Sequence, residues 1–184
     1  MSKSIRKAFY DDQKEEKSLN EMSAKGLALT NYSWMHYTFE DSAPGEYTYR
    51  IELLDDEVNK PKSQTYLDFL KQSGVECVTS YMRWVYLRKK SSDGPFEVYS
   101  DNSSRLAYYR RVSNFYLSLG LVLAALAILQ LTWIITGIGS DRYIWIANVI
   151  ALVVAGSVAA IFLSIWAKYH NQIAQLKRDK VVYD

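Results

Sequence analysis

Two stretches without a single charged side chain, residues 112–140 and 143–167, constrain this chain more than anything else in it. Only Asp141 and Arg142 separate them. A bilayer core about 30 Å thick takes about 20 apolar residues in a helix, and each stretch meets that length. A helix buried in a water-soluble protein rarely runs so far uncharged. The pair therefore reads as a two-helix transmembrane hairpin, residues 111–169, with spans at about 113–136 and 143–167. The link from Thr136 to Arg142, with Gly137 and Gly139, predicts a tight turn and antiparallel neighbours.

Basic residues set the expected orientation. Arg105, Arg110 and Arg111 precede the first span, and Lys168, Lys177, Arg178 and Lys180 follow the second, whereas the turn has Arg142 beside Asp141. The bias places both ends, including a basic tail at 170–184, in the cytoplasm and the hairpin in the plasma membrane. Phe115, Tyr116, Trp166 and Tyr169 form an inner aromatic belt in this reading, with Trp133, Tyr143 and Trp145 forming an outer one. Gly120, Ala124 and Ala127 on the first span, and Ala151, Ala155, Gly156, Ala159 and Ala160 on the second, are small enough for close helix approach. Neither span has an ionisable residue, so the hairpin reads as an anchor or docking surface rather than an ion pathway.

The remaining sequence belongs to an α+β domain over residues 1–110. A formal net charge of +2 gives no basic excess and no reason to expect nucleic acid as partner. The stretch from Met1 to Lys17 is dense in charge and lacks the apolar run of a signal peptide. The one cysteine, Cys77, sits in a strand-like segment and reads as a small apolar residue. His36 and His170 stand far from it and from each other, so no metal site and no cofactor is expected.

Segment by segment, Ile5–Tyr10 reads as a strand, and Asp11-Asp12 caps a helix that Gly26 stops. Leu27–Phe39 and Glu46–Leu54 read as two strands of a hairpin around the turn Asp41–Gly45. Pro61 opens a second helix that ends at Gly74. Val75–Leu87 reads as one long strand, Phe96–Tyr99 as a short last one, and Asp101–Val112 as a helix feeding the first span. The order matches a ferredoxin-like βαββαβ(β) domain, with helices over one face of an antiparallel sheet. The other face then needs a cover: ligand, protein partner, membrane surface or second copy.

Three segments, Lys14–Gly26, Pro44–Leu53 and Tyr81–Tyr86, occur in the order found in a family of small bacterial proteins, domain of unknown function 2812, which the chain resembles over residues 5–110. Ser18 and Leu27 stand where that family commonly has tryptophan. The resemblance implies transmembrane segments behind the domain and gene neighbourhoods with PadR-type regulators. It implies no established activity.

For binding, the residues of interest are Arg50 and Glu52 on one strand, Arg83, Trp84 and Tyr86 on another, and Trp34. Arginine forks with aromatic neighbours suit an anionic amphipathic ligand; an ion-pair ladder between strands is the structural alternative. Tyr32, Tyr37, Phe39, Tyr47, Tyr49 and Tyr81 are divided between core and surface in a way sequence leaves open. His36 has no nucleophile or acid motif beside it, so catalysis is not expected. The chain is expected to be a non-enzymatic membrane sensor or adaptor that binds a protein partner or small ligand, or self-associates. An accessory subunit of a transporter is the alternative; an enzyme is a distant third.

Overall fold

Trp34 and Met35 reverse the chain in the middle of what reads as one strand. The computed structural model describes residues 3–99, 101–136 and 141–183, and in it both residues have positive φ, 39° and 64°. The segment is thus a tight hairpin, β2 (Leu27–Ser33) and β3 (His36–Asp41). The same happens at Met82, φ 56°, which splits the next long strand into β5 (Val75–Tyr81) and β6 (Trp84–Lys90). Two-residue hairpin loops normally announce themselves as Asn-Gly or Asp-Gly. Trp-Met and Met-Arg carry no such signal. A side chain at positive φ costs about 1 kcal/mol, so Met82→Asn, at an exposed position, is expected to raise stability by up to about 1 kcal/mol. A urea midpoint checks this.

The chain divides into two compact units, Met1–Ser100 and Asp101–Asp184. The first is α+β. Besides the four strands above it has β1 (Lys3–Arg6), α1 (Asp12–Ala24), β4 (Tyr47–Leu53) and α2 (Pro61–Gln72). The strands form two three-stranded antiparallel sheets, in the orders β1-β3-β2 and β4-β6-β5. The expected hairpin of Leu27–Phe39 with Glu46–Leu54 does not form, because β3 is already flanked by β1 and β2 while β4 pairs with β6. Phe96–Tyr99 is not a strand; Phe96 is buried in the core beside α2 and Val75. The helix signals act as read: Asp11 accepts from Gln13 N at 3.1 Å, Pro61 stands in the first turn of α2, and Gly26 and Gly74 follow the helix ends at φ 77° and 78°.

The two sheets are copies of one βαββ plan. Gly26 and Gly74, the hairpins β2–β3 and β5–β6, and the helices before them recur 48 residues apart. Even the bulge repeats: register slips between Leu29 and Asn31 in β2 and between Cys77 and Thr79 in β5. The halves meet along β2 and β5, where Thr79 Oγ1 donates to Asn31 Oδ1 at 3.2 Å. These are equivalent positions, and equivalent residues meeting is the mark of a two-fold relation.

The outer edge of β4 is covered by α1. Asn20 accepts from Tyr49 N at 2.8 Å and donates to Tyr49 O at 3.1 Å. Ser23 Oγ donates to Tyr47 O at 2.5 Å, and Ile51 N donates to Glu16 Oε2 at 3.1 Å. Helical spacing thus puts Glu16, Asn20 and Ser23 on one face as a substitute strand, which protects an edge otherwise open to pairing.

The second unit consists of α3 (Asn102–Thr136) and α4 (Arg142–Tyr183), a helical hairpin whose members are both long and apolar enough to cross a membrane. The expected turn lies largely at residues 137–140, outside the described residues. Both helices continue beyond the uncharged stretches, so the expected tail from 170 extends α4 as helix through Tyr183. Asp101 caps α3, accepting from Ser104 N at 2.8 Å and from the Ser103 and Ser104 hydroxyls. These bonds hold its carboxyl well below the usual range. The seam is made by Tyr108, Val112 and Tyr116 on α3 and Ile165, Tyr169 and Ile173 on α4, all buried. Of the small residues, Gly120 faces Leu163 and Ala159 is buried, while Gly156 meets nothing within 4 Å. Elsewhere large apolar side chains such as Ile128, Ile135 and Val153 are exposed.

Candidate functional site

The apolar stripe of α1 contains an acid. Glu15 shares a helical face with Leu19 and Met22, and that face lies on the first sheet's core. Glu15 is buried, 9% exposed. Its Oε1 accepts from the Tyr37 hydroxyl of β3 at 2.6 Å and from the Tyr86 hydroxyl of β6 at 2.7 Å. One carboxylate therefore ties together both sheets. Its other oxygen accepts no hydrogen bond, and no cation pairs with it among the described residues.

Tyr32 of β2 lies over this arrangement. Its ring centroid is 4.7 Å from that of Tyr37 and 4.8 Å from that of Tyr86. Tyr81 meets Tyr32 edge-on at 5.8 Å, and Trp34 stands 6.4 Å from Tyr81. Exposure grows outward, from buried Tyr37 and Tyr86 through half-buried Tyr32 and Tyr81 to Trp34, 61% exposed. The result is an aromatic cluster at the junction of the two βαββ halves with a carboxylate beneath it. On the other side of Tyr37 a small groove runs between α1 and β1, lined by Ile5, Lys7, Phe9, Ser18, Leu19, Met22 and Phe39.

The six residues singled out in the sequence fall in several places. Tyr86 and Trp34 belong to the cluster, and half-buried Trp84 packs against the same core. Arg50 reaches Glu16 at 3.0 Å. Glu52 is buried and accepts from the Tyr66 hydroxyl at 2.9 Å and the Tyr99 hydroxyl at 2.7 Å. Arg83, in the β5–β6 turn, donates to Leu54 O through Nε and Nη2 at 3.0 and 2.6 Å. The three charged residues are thus occupied inside the domain and do not form one cluster with the tryptophans. Glu15 is not among the six. Its spacing from Leu19 and Met22, a carboxylate on an apolar stripe, is the signal that marks it.

Burial pushes the Glu15 carboxyl up; the Tyr37 and Tyr86 hydrogen bonds oppose this and the nearby Asp12 adds to it. Burial also raises Glu16, against the pull of Arg50. Tyr37 and Tyr86 are pushed far above the ordinary phenol range by burial and by Glu15. A carboxyl raised in the folded state stays protonated where the unfolded chain has released its proton. Its stabilising contribution is complete below the ordinary glutamate value of about 4.3 and is lost as pH rises through the folded value. Glu15→Gln keeps an acceptor for both phenols and removes this loss. The variant is expected to match or exceed the parent in urea midpoint at pH 7 and to show a flatter pH profile from there into the acid range. A midpoint lower at pH 7 than at pH 4.5 in the parent, with a smaller difference in the variant, where Glu16 still contributes, is the pattern to look for.

Residues 11–121 match the family model of the protein of unknown function DUF2812, and the chain belongs to that family. No curated protein and no solved structure matches it. The segments that carry the resemblance are α1 with its edge-covering Asn20, the strand β4 it covers, and the turn joining β5 to β6.

Proposed function

We propose that the chain is a membrane-anchored, non-enzymatic sensor or adaptor: the hairpin sits in the plasma membrane, both ends are cytoplasmic, and the α+β domain binds a ligand or protein partner. The observation that carries the reading is the aromatic cluster of Trp34, Tyr81 and Tyr32, which opens to the surface above an acid without a counter-cation, in a chain that also has two apolar helices of spanning length. Side chains of a kind used in chemistry are engaged structurally. His36 Nδ1 lies 3.1 Å from Trp34 O, across the β2–β3 turn. Burial pushes the Cys77 thiol up, away from the reactive thiolate. The neighbourhood of PadR-type regulators implied by the resemblance fits a protein that reports a bound compound to an envelope response.

The test is crosslinking of the full chain in its native membrane, followed by alkaline extraction and mass spectrometry. A chain that resists extraction and crosslinks to itself or to a soluble regulator supports the reading. A chain extracted by alkali defeats the anchoring. Dominant crosslinks to one multispan protein, lost when the hairpin is exchanged for an unrelated one, favour the accessory-subunit alternative.

A further inference from the structure

We infer that the junction between the two βαββ halves is a binding site for a small hydrophobic cation, such as an aromatic or quaternary ammonium compound, with Glu15 as its counter-ion and Tyr32, Tyr37, Tyr81, Tyr86 and Trp34 as its aromatic walls. The inference deepens the binding-module reading and rests on it.

Three observations converge. The first is the uncompensated acid. Buried carboxylates are normally paired with a cation or satisfied on both oxygens. Glu15 has no cation among the described residues: both phenols donate to Oε1, Oε2 is not sealed from water, and the nearby charged group that acts on it is Asp12, of like sign. Arg50, the base held near the same helix, is committed to Glu16 on the next position of α1.

The second is what surrounds it. Aromatic faces attract cations, most strongly when the charge is shed of water. The Tyr32 ring lies within 4.8 Å of the rings of both tyrosines that hold Glu15. Tyr32 is half-buried beside the β2–β3 turn and borders Tyr81 and exposed Trp34. Rotating its side chain outward opens a slot floored by the carboxylate and walled by Tyr37, Tyr86 and Tyr81.

The third is position. The sheets contribute opposite walls, β2 and β3 from one half, β5 and β6 from the other, and no ladder joins β2 to β5. A junction held by side chains can part slightly where a continuous sheet cannot. Such sites between repeated halves are common places for ligands. Neutral or anionic ligands do not answer the Glu15 charge, so the chemistry selects a cation.

The experiment is a titration of the full chain in lipid nanodiscs with phenyltrimethylammonium, followed by tryptophan fluorescence and by saturation-transfer NMR, with benzenesulfonate as the anion of similar size. The parent is expected to bind the ammonium and not the sulfonate. Glu15→Gln is expected to weaken ammonium binding at least about tenfold with an unchanged urea midpoint or a higher one. Tyr32→Ala, which truncates the lid, tests the walls in case the Glu15 variant does not fold; it is expected to change ammonium affinity at least about threefold. Absence of ammonium binding into the millimolar range, equal binding of the sulfonate, or a Glu15→Gln variant of unchanged affinity overturns the assignment. Crosslinked partners and membrane attachment are read on separate samples, so a domain that binds no cation but still crosslinks through Trp34 defeats this inference and leaves the binding module standing.

Discussion

Asn20→Ala is expected to lower the stability of the N-terminal unit by about 3 kcal/mol. The Asn20 amide is at once acceptor for Tyr49 N and donor to Tyr49 O, and its donor also reaches Glu16 O at 2.9 Å. Alanine leaves Tyr49 N without a partner, and Tyr49 O with only the longer bond from Arg50 Nη1 at 3.3 Å, beside a helix that shields them from water. Each orphaned group costs about 1–3 kcal/mol. The position is sensitive for a second reason. Tyr49 is completely buried, and its hydroxyl accepts from Leu29 N at 2.8 Å, so a shift of β4 loosens the contact with β2 as well. Asn20→Asp keeps the acceptor and loses the donor, and an intermediate loss is expected. Glu21→Ala, at an exposed position on the same helix, is expected to stay within about 0.5 kcal/mol. Urea denaturation of the full chain in mild detergent, followed by strand circular dichroism, reads all three; with a slope of about 1.5 kcal/mol per molar the first midpoint falls by about 2 M. An Asn20→Ala midpoint equal to that of Glu21→Ala means that α1 does not hold the edge of β4.

Legibility in the sequence follows the physics of each signal. Helix ends are readable because their chemistry is local: Asp11 caps, Pro61 starts and Gly26 and Gly74 stop without reference to anything distant. The two helices of spanning length are readable because their long uncharged stretches are a local property of the sequence. The two hairpins inside long strand-like runs are hidden, since Trp34, Met35 and Met82 adopt left-handed backbone without the asparagine or glycine that usually marks it. With both turns hidden, the repeat is hidden too. Between residues 27–41 and 75–89 no aligned position carries the same amino acid, so the duplication survives in topology and in the placement of a bulge, not in residue identity.

The candidate site divides in the same way. Trp34 and Tyr86 stand out as large aromatics on strand-like segments, and geometry brings them to one junction. Arg50, Glu52 and Arg83 stand out as charges, but a charge says nothing about its partner. Here the partners are Glu16, two tyrosines and a main-chain carbonyl, all supplied by distant parts of the chain. Glu15 is inconspicuous inside the charged run Lys14–Lys17. Only its register with Leu19 and Met22 separates it from the exposed Lys14 and Lys17 and the ion-paired Glu16.

Gly120→Leu is expected to weaken the association of α3 with α4 by about 3 kcal/mol, the upper range for overpacking. A Cβ at Gly120 meets Leu163 Cδ2 at 2.9 Å and Cγ at 3.0 Å, closer than side chains tolerate. Alanine is expected to cost about 1 kcal/mol, since a leucine methyl can turn aside. A branched side chain has no such escape, because Tyr116 packs on Phe162 one turn away, with ring centroids 5.8 Å apart, and holds the helices at fixed spacing. In a bilayer the consequence is direct: lipid is as apolar as the seam, so close packing rather than exclusion of water keeps such helices together. Leu163→Ala alone opens a void beside Gly120 and is also expected to weaken the pair. Combined with Gly120→Leu it makes room for the new side chain, and the double variant is expected to recover at least half of the loss. Steric trapping in lipid nanodiscs measures the separation equilibrium; about 3 kcal/mol appears as a change of roughly 150-fold. A strictly additive double variant would place the contact between α3 and α4 somewhere other than Gly120 and Leu163, since coupling between two substitutions is what contact between the residues predicts.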